Sequence, residues 1–204
     1  MKKVLIGILV LFSAGLCFLN LLDDRGGQEK SAGYGQGRHL VILGDGRAEE
    51  LAAFPEDEQP ISFMVKSGAD VDWLDKEALP TAAQSADESY VICVMTGVSD
   101  MENAARYVDC LNDWGRRLSE ENGARLCFDS INPVAEGIFS PVNVAAFNKT
   151  VRDGLGEYVY YIDTFSKMSE KGFSTTDSLH YTGESSKLLY DLLMQELENM
   201  DQAS

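Results

Sequence analysis

"VILGDGRAEEL", residues 41–51, sets the reading of everything around it. The apolar Val41-Ile42-Leu43 runs into Gly44-Asp45-Gly46 and then into Arg47-Ala48-Glu49-Glu50-Leu51, the pattern of a buried strand that stops at a tight turn and resumes as a helix. In α/β enzymes such an elbow lifts a nucleophilic serine above the tip of the sheet. Here the elbow residue is Gly46, which has no side chain.

On the C-terminal side, short apolar runs alternate with longer amphipathic stretches. HLVIL (39–43), ISFMV (61–65), YVICVM (90–95), ARLCFDSI (124–131) and YVYYID (158–163) are too short for helices and rich in β-branched and aromatic residues, so they read as strands buried on both faces. Between them, residues 102–121 carry Ala105, Val108, Leu111, Trp114 and Leu118 at helical spacing. Residues 143–155 repeat the pattern, as do residues 183–199 with Leu188, Leu189, Leu192, Leu193 and Leu197. The alternation implies right-handed crossovers and an α/β fold: a three-layer α/β/α sandwich with a five-stranded parallel sheet, flavodoxin-like in outline. Ligands of such sheets bind beyond the carboxyl ends of the strands, so the loops that follow strands are where chemistry is expected.

On the N-terminal side, Val4–Leu22 is a 19-residue apolar run preceded by Lys2 and Lys3 and followed by Asp23 and Asp24. Its length suits a membrane-crossing helix, and the flanking charges place the following domain outside the cell. We therefore expect a signal-anchor helix over residues 1–22, with secretion after signal-peptide cleavage as the alternative; Cys17 lacks the preceding residues of a lipidation site. Residues 23–38 contain five glycines and no apolar periodicity, the composition of a flexible tether. The expected domain, residues 39–204, carries 30 acidic and 12 basic side chains, and this charge of −18 argues against nucleic acid as a partner. Cys93 and Cys127 lie inside apolar runs and read as core. With two histidines and no cysteine pair at ligand spacing, the sequence suggests no metal site and no cofactor.

Four loops, each expected to follow its own strand, carry the polar residues of interest: Gly44-Asp45-Gly46-Arg47, Ser67-Gly68-Ala69, Thr96-Gly97-Val98-Ser99-Asp100 and Asp177-Ser178-Leu179-His180. In that order they resemble the SGNH hydrolases, also called GDSL esterases and lipases, whose signatures are a Gly-Asp-Ser elbow, a loop glycine, a Gly-x-Asn-Asp loop and a late Asp-x-x-His. The resemblance spans residues 39 to about 195. It is closest to membrane-anchored members from anaerobic Gram-positive bacteria, which are similar in Arg47, Ile131 to Val134, Phe147-Asn148 and Asp177 to Thr182.

The resemblance implies that His180 is the base and Asp177 its orienting acid, with the backbone N–H groups of Gly46 and Gly68 donating to an oxyanion. Two positions depart from the pattern. Gly46 stands where the family has its nucleophilic serine, and Ser99 where it has an asparagine donor. The implied ancestral activity is ester hydrolysis on acylated glycans or small esters, here weakened or lost. A glycan- or acyl-binding module, an envelope scaffold for a protein partner, and a flavin or nucleotide carrier are the alternatives, the last disfavoured because the elbow lacks residues to cradle a phosphate. Ser99, or a water in the space left at Gly46, could supply the missing nucleophile. Arg47 reads either as a surface residue or as a contact for a substrate carboxylate or phosphate, Asp45 as an oxyanion- or substrate-binding residue beside it, Trp73 as cleft wall or core, and Asn132-Pro133 as a turn without chemistry.

Overall fold

The structure is a computed structural model that describes residues 16–19, 37–55 and 59–202. Six strands form one sheet: β1 (Leu16–Leu19), β2 (His39–Gly44), β3 (Ile61–Lys66), β4 (Tyr90–Met95), β5 (Arg125–Asp129) and β6 (Val159–Ile162), in the order β1-β3-β2-β4-β5-β6. Strands β2 to β6 are all parallel, while β1 runs antiparallel along the outer edge of β3. The five parallel strands follow the five apolar runs of the sequence. Five of the six residues of YVICVM in the central β4 are buried, so both faces of the strand are covered and no polar residue alternates with the apolar ones.

The covering helices fall into two layers. Helices α2 (Val71–Trp73), α3 (Leu79–Ala83), α4 (Ala104–Arg117) and α5 (Pro141–Gly154) bring Trp73, Leu79, Leu111, Trp114, Val144 and Phe147 onto one face. Helices α1 (Gly46–Leu51), α6 (Thr164–Lys171) and α7 (Gly183–Gln202) bring Ala48, Leu51, Met168, Leu189, Leu193 and Leu197 onto the other. Cys93 and Cys127 sit opposite each other in the β4–β5 ladder, fully buried in this second layer of packing. Trp73 is 1% exposed and belongs to the core, which excludes it as a cleft wall.

This order places the site. The chain leaves β2 for β3 on one side and then crosses back past β2 to β4 on the other. The tips of β2 and β4 therefore flank the point where strand order reverses, and the Gly44-Asp45-Gly46 elbow lies there.

The N-terminal residues are described only at β1, within the run expected to cross a membrane. Those four residues are extended, with Leu16 opposite Lys66 and Leu19 opposite Phe63. The rest of the expected anchor, and the tether up to residue 36, lie outside the described residues. Among the described residues no helix is long and apolar enough to cross a membrane.

Candidate active site

At the elbow the backbone has to pass close to its neighbours. A Cβ on Gly44 would lie 2.2 Å from Cβ of Ala48 and 3.2 Å from the carbonyl oxygen of Met95, so a larger residue would push α1 off the sheet. Asp45 then caps α1, its Oδ1 accepting from the backbone N–H of Arg47 at 3.0 Å, and its own N–H donates to the Met95 carbonyl at 3.3 Å. Gly46, the first residue of α1, is thereby held at the tip of β2.

The second half of the site is a tight loop before α7. Asp177 Oδ1 accepts from the backbone N–H groups of Leu179 (2.8 Å) and His180 (2.7 Å), and Oδ2 lies 2.7 Å from His180 Nδ1. The Thr176 N–H donates to the His180 carbonyl at 2.8 Å, closing the loop on itself. With Nδ1–H donating to the carboxylate, the neutral ring presents its Nε2 lone pair on the opposite side. That side faces the elbow. A Cβ built on Gly46 lies 3.4 Å from His180 Nε2 and 4.0 Å from Cδ2, and apart from Asp45, Arg47 and the backbone of α1 no other heavy atom of the described residues comes within 4 Å of it.

The hydrogen bond to Asp177 holds the His180 pKa above its ordinary 6.5 against partial desolvation, with further help from the charges of Asp177, Glu50 and Asp45. The same hydrogen bond, with the two backbone donors, pulls Asp177 down to about 2. Asp177 is thus a carboxylate throughout the neutral range, and its charge favours the protonated form of the ring.

Gly68 and Ser99 follow the two strands that flank β2. Gly68 is exposed and has φ +68°, a left-handed conformation open to glycine, and nothing lies within 4 Å of where its Cβ would be. Ser99 is exposed on the loop after β4. The two loops are locked together by the buried Asp100, which accepts from the Val71 N–H (3.1 Å), the Tyr107 hydroxyl (2.8 Å) and Asn103 (3.4 Å). None of the hydroxyls of Ser67, Ser99, Ser178 or Tyr181 comes within 4 Å of the Gly46 Cβ position. Tyr181 donates to the Pro133 carbonyl, and the Ser178 side chain packs against Gly137.

The structure as a whole aligns with crystal structures of low sequence identity. The C-terminal catalytic domain of peptidoglycan O-acetyltransferase A from Streptococcus pneumoniae matches with TM-score 0.61 at 16% identity, covering 81% of this chain and 96% of that one. A member of the lipolytic protein G-D-S-L family from Veillonella parvula matches with TM-score 0.60 at 12% identity, over 78% and 97% of the two chains. An acetylxylan esterase from Geobacillus stearothermophilus gives 0.56 at 14%, over 79% and 94%. The chain has the SGNH-hydrolase fold. No protein-family model and no curated protein matches it by sequence.

Within that SGNH fold the floor of the site differs from the sequence-based expectation. Arg47 is neither a surface residue nor placed to meet a substrate anion: it is 3% exposed, its guanidinium pairs with Asp45 Oδ2 at 3.3 Å, and it donates to the Asn132 carbonyl at 3.2 Å. Burial works to lower its pKa, but the charges of Asp45, Tyr181 and Asp129 outweigh burial and raise it, so the side chain stays charged. Asp45 is 4% exposed and equally committed, to the cap and to Arg47. Both residues shape the elbow from beneath.

Asn132, expected only to form a turn, is a junction. Its side-chain amide donates to Thr164 Oγ1 (2.6 Å) and Asp129 Oδ2 (3.2 Å), and Thr164 in turn donates to Asp129 Oδ1 (2.6 Å). Asn148 clamps the preceding residue through two 2.8 Å bonds, one to the N–H and one to the carbonyl of Ile131. Burial pushes the Asp129 carboxyl up to about 7, against the pull of Thr164, Asn132 and Arg47. Asp129 and Thr164 went unremarked in the sequence because each sits at the end of a strand or the start of a helix, where Asp and Thr are ordinary caps. The adjacent Asp-Ser after the fourth apolar run was the one available hint.

Proposed function

We propose that the chain is a cell-surface, SGNH-type acyl-ester hydrolase whose catalytic power is reduced by the loss of the elbow serine. The observation that carries this reading is the 3.4 Å separation between His180 Nε2 and the Cβ position of Gly46, with Asp177 bracing the far side of the ring. His180 is the proton-transferring group, Asp177 the residue that orients it, and the Gly46 and Gly68 N–H groups donors to a carbonyl oxygen, with Ser99 a weaker replacement for the family's asparagine amide. Two of the structural neighbours are by name an acetylxylan esterase and a peptidoglycan O-acetyltransferase, which supports an acetylated or acylated glycan as ligand. The N-terminal apolar segment would hold the protein at the membrane, and the acidic domain would face outward.

The test is hydrolysis of 4-nitrophenyl acetate by the full chain and by Gly46→Ser. A large gain on adding the serine, abolished by His180→Ala in the same background, supports the assignment. A folded Gly46→Ser protein that remains inert removes it, because the acid–base pair is then not aimed at the elbow.

A further inference from the structure

The acid–base pair is complete while the described residues supply no hydroxyl for it to deprotonate. Nε2 of His180 has no hydrogen-bond partner among the described residues, and the position 3.4 Å from it is bounded by the hydrogen of Gly46. No alternative hydroxyl reaches that position, since Ser67, Ser99, Ser178 and Tyr181 all lie beyond 4 Å. The space left by a missing hydroxymethyl group is about that of one water, whose share of liquid volume is about 30 Å³. A water in the hydroxyl's share of that space, displaced from the Cβ position toward the ring, can come within the roughly 2.6 to 3.2 Å from which a base takes a proton.

We propose that this chain hydrolyses esters by single displacement, with a water beside Gly46 as the nucleophile and His180 as its general base, so that no acyl-enzyme forms. This deepens the preceding assignment and rests on it.

Atoms and charges balance with these residues alone. The water oxygen bonds to the ester carbonyl carbon as one of its protons passes to Nε2, and the carbonyl oxygen becomes an oxyanion within reach of the backbone donors. The oxyanion collapses, the bond from carbon to the alkoxy oxygen breaks, and the Nε2 proton goes to the departing alkoxide. The products are a carboxylic acid and an alcohol, and the ring is again neutral. Asp177 keeps Nδ1 protonated throughout and offsets the positive charge the ring carries between the two transfers.

Glycine, rather than alanine, is what this route requires. A methyl on residue 46 would lie 3.4 Å from Nε2, against the ring edge at which the water has to bind, and would crowd it off the base. The backbone there is ordinary helix, so the methyl introduces no strain.

The test uses the full chain and 4-nitrophenyl acetate, with the fluorophosphonate-reactive fraction measured in parallel. The wild-type chain should hydrolyse the ester above the buffer rate without an initial burst and without labelling. His180→Ala should lower that rate by about 100-fold, the smaller end of a general-base contribution. Gly46→Ala should lower it similarly while its thermal midpoint stays at or above wild type. The wild-type rate should fall on the acid side, as His180 protonates under the influence of Asp177, Glu50 and Asp45. A wild-type chain that is inert while Gly46→Ser is active overturns this inference and leaves the site assignment standing. Inactivity of both removes the two together. Full activity in Gly46→Ala, or labelling of the wild-type chain, also overturns it, because the nucleophile would then lie elsewhere.

Discussion

Restoring the serine is the perturbation whose size follows most directly from the geometry. In Gly46→Ser the new Cβ makes an ordinary contact with the His180 ring, 3.4 Å from Nε2. With a C–O bond of about 1.4 Å, a side chain turned so that Oγ lies roughly 50 to 60° off the Cβ–Nε2 line puts the hydroxyl about 2.7 to 2.9 Å from the base, a normal hydrogen bond. A nucleophile in an assembled triad is worth on the order of a million-fold in turnover. The asparagine donor is absent from both chains and cancels from the ratio, but the water route that His180 serves in the wild-type chain takes back about 100- to 1000-fold. The expected gain is therefore about 1000- to 10000-fold, or roughly 4 to 5.5 kcal/mol of transition-state stabilisation. Steady-state hydrolysis of 4-nitrophenyl acetate with a burst phase, together with fluorophosphonate labelling at residue 46, measures it. Adding Ser99→Asn should raise the rate about 100-fold more. A gain under ten-fold in a protein that melts like wild type would refute the argument, since the hydroxyl would then be present but outside the reach of Nε2.

Other consequences test the parts separately. Asp177→Asn in the Gly46→Ser background should cut turnover by about 10000-fold, because the wrong tautomer is then held, and the His180 pKa, read by NMR, should drop toward 6.5. His180 is raised and Asp177 lowered, so the pair stabilises the fold above the usual carboxylate pKa and below about 6.5 and loses its effect outside that window. Arg47→Met should cost about 3 to 5 kcal/mol in urea unfolding, because Asp45 is left as a buried charge without its partner; a loss below about 1 kcal/mol would show that the pair is not desolvated as described. Asp129 keeps its proton in the folded state up to about pH 7 but releases it near 4 when unfolded, so stability should decline as pH rises between those values, by at most about 4 kcal/mol. Asp129→Asn should remove that decline whatever it does to stability at pH 4, and unfolding curves with the same slope against pH as wild type would exclude the proposed titration.

The five parallel strands and helices α1, α4, α5 and α7 were legible because each announces itself locally, whereas the short α2, α3 and α6 were not. A strand buried on both faces is an unbroken apolar run, and a helix packed on one side shows its 3.6-residue stripe in Leu111, Trp114 and Leu118. The Asp177–His180 pair was named through the resemblance to SGNH hydrolases, since Asp-x-x-His by itself reads equally as a helix cap, and the structure brings carboxylate and ring to 2.7 Å. The role of Arg47 was not legible, because its partner Asn132 is 85 residues away and its burial is set where the end of β2 meets the loop after β5. The Asp129–Thr164–Asn132 cluster was hidden likewise: its 35-residue span closes only when β5 and β6 pair. Leu16–Leu19 shows the opposite limit, an apolar stretch equally suited by composition to a bilayer or to a sheet edge. Hydrophobic pattern and turn chemistry are properties of neighbouring residues, so the chain alone determined the five parallel strands and the layering around them, while the acid–base loop was named by resemblance. Whether a charge is buried, and that an imidazole meets an empty position 134 residues earlier in the chain, depend on contacts between distant segments, and only the folded structure decided them.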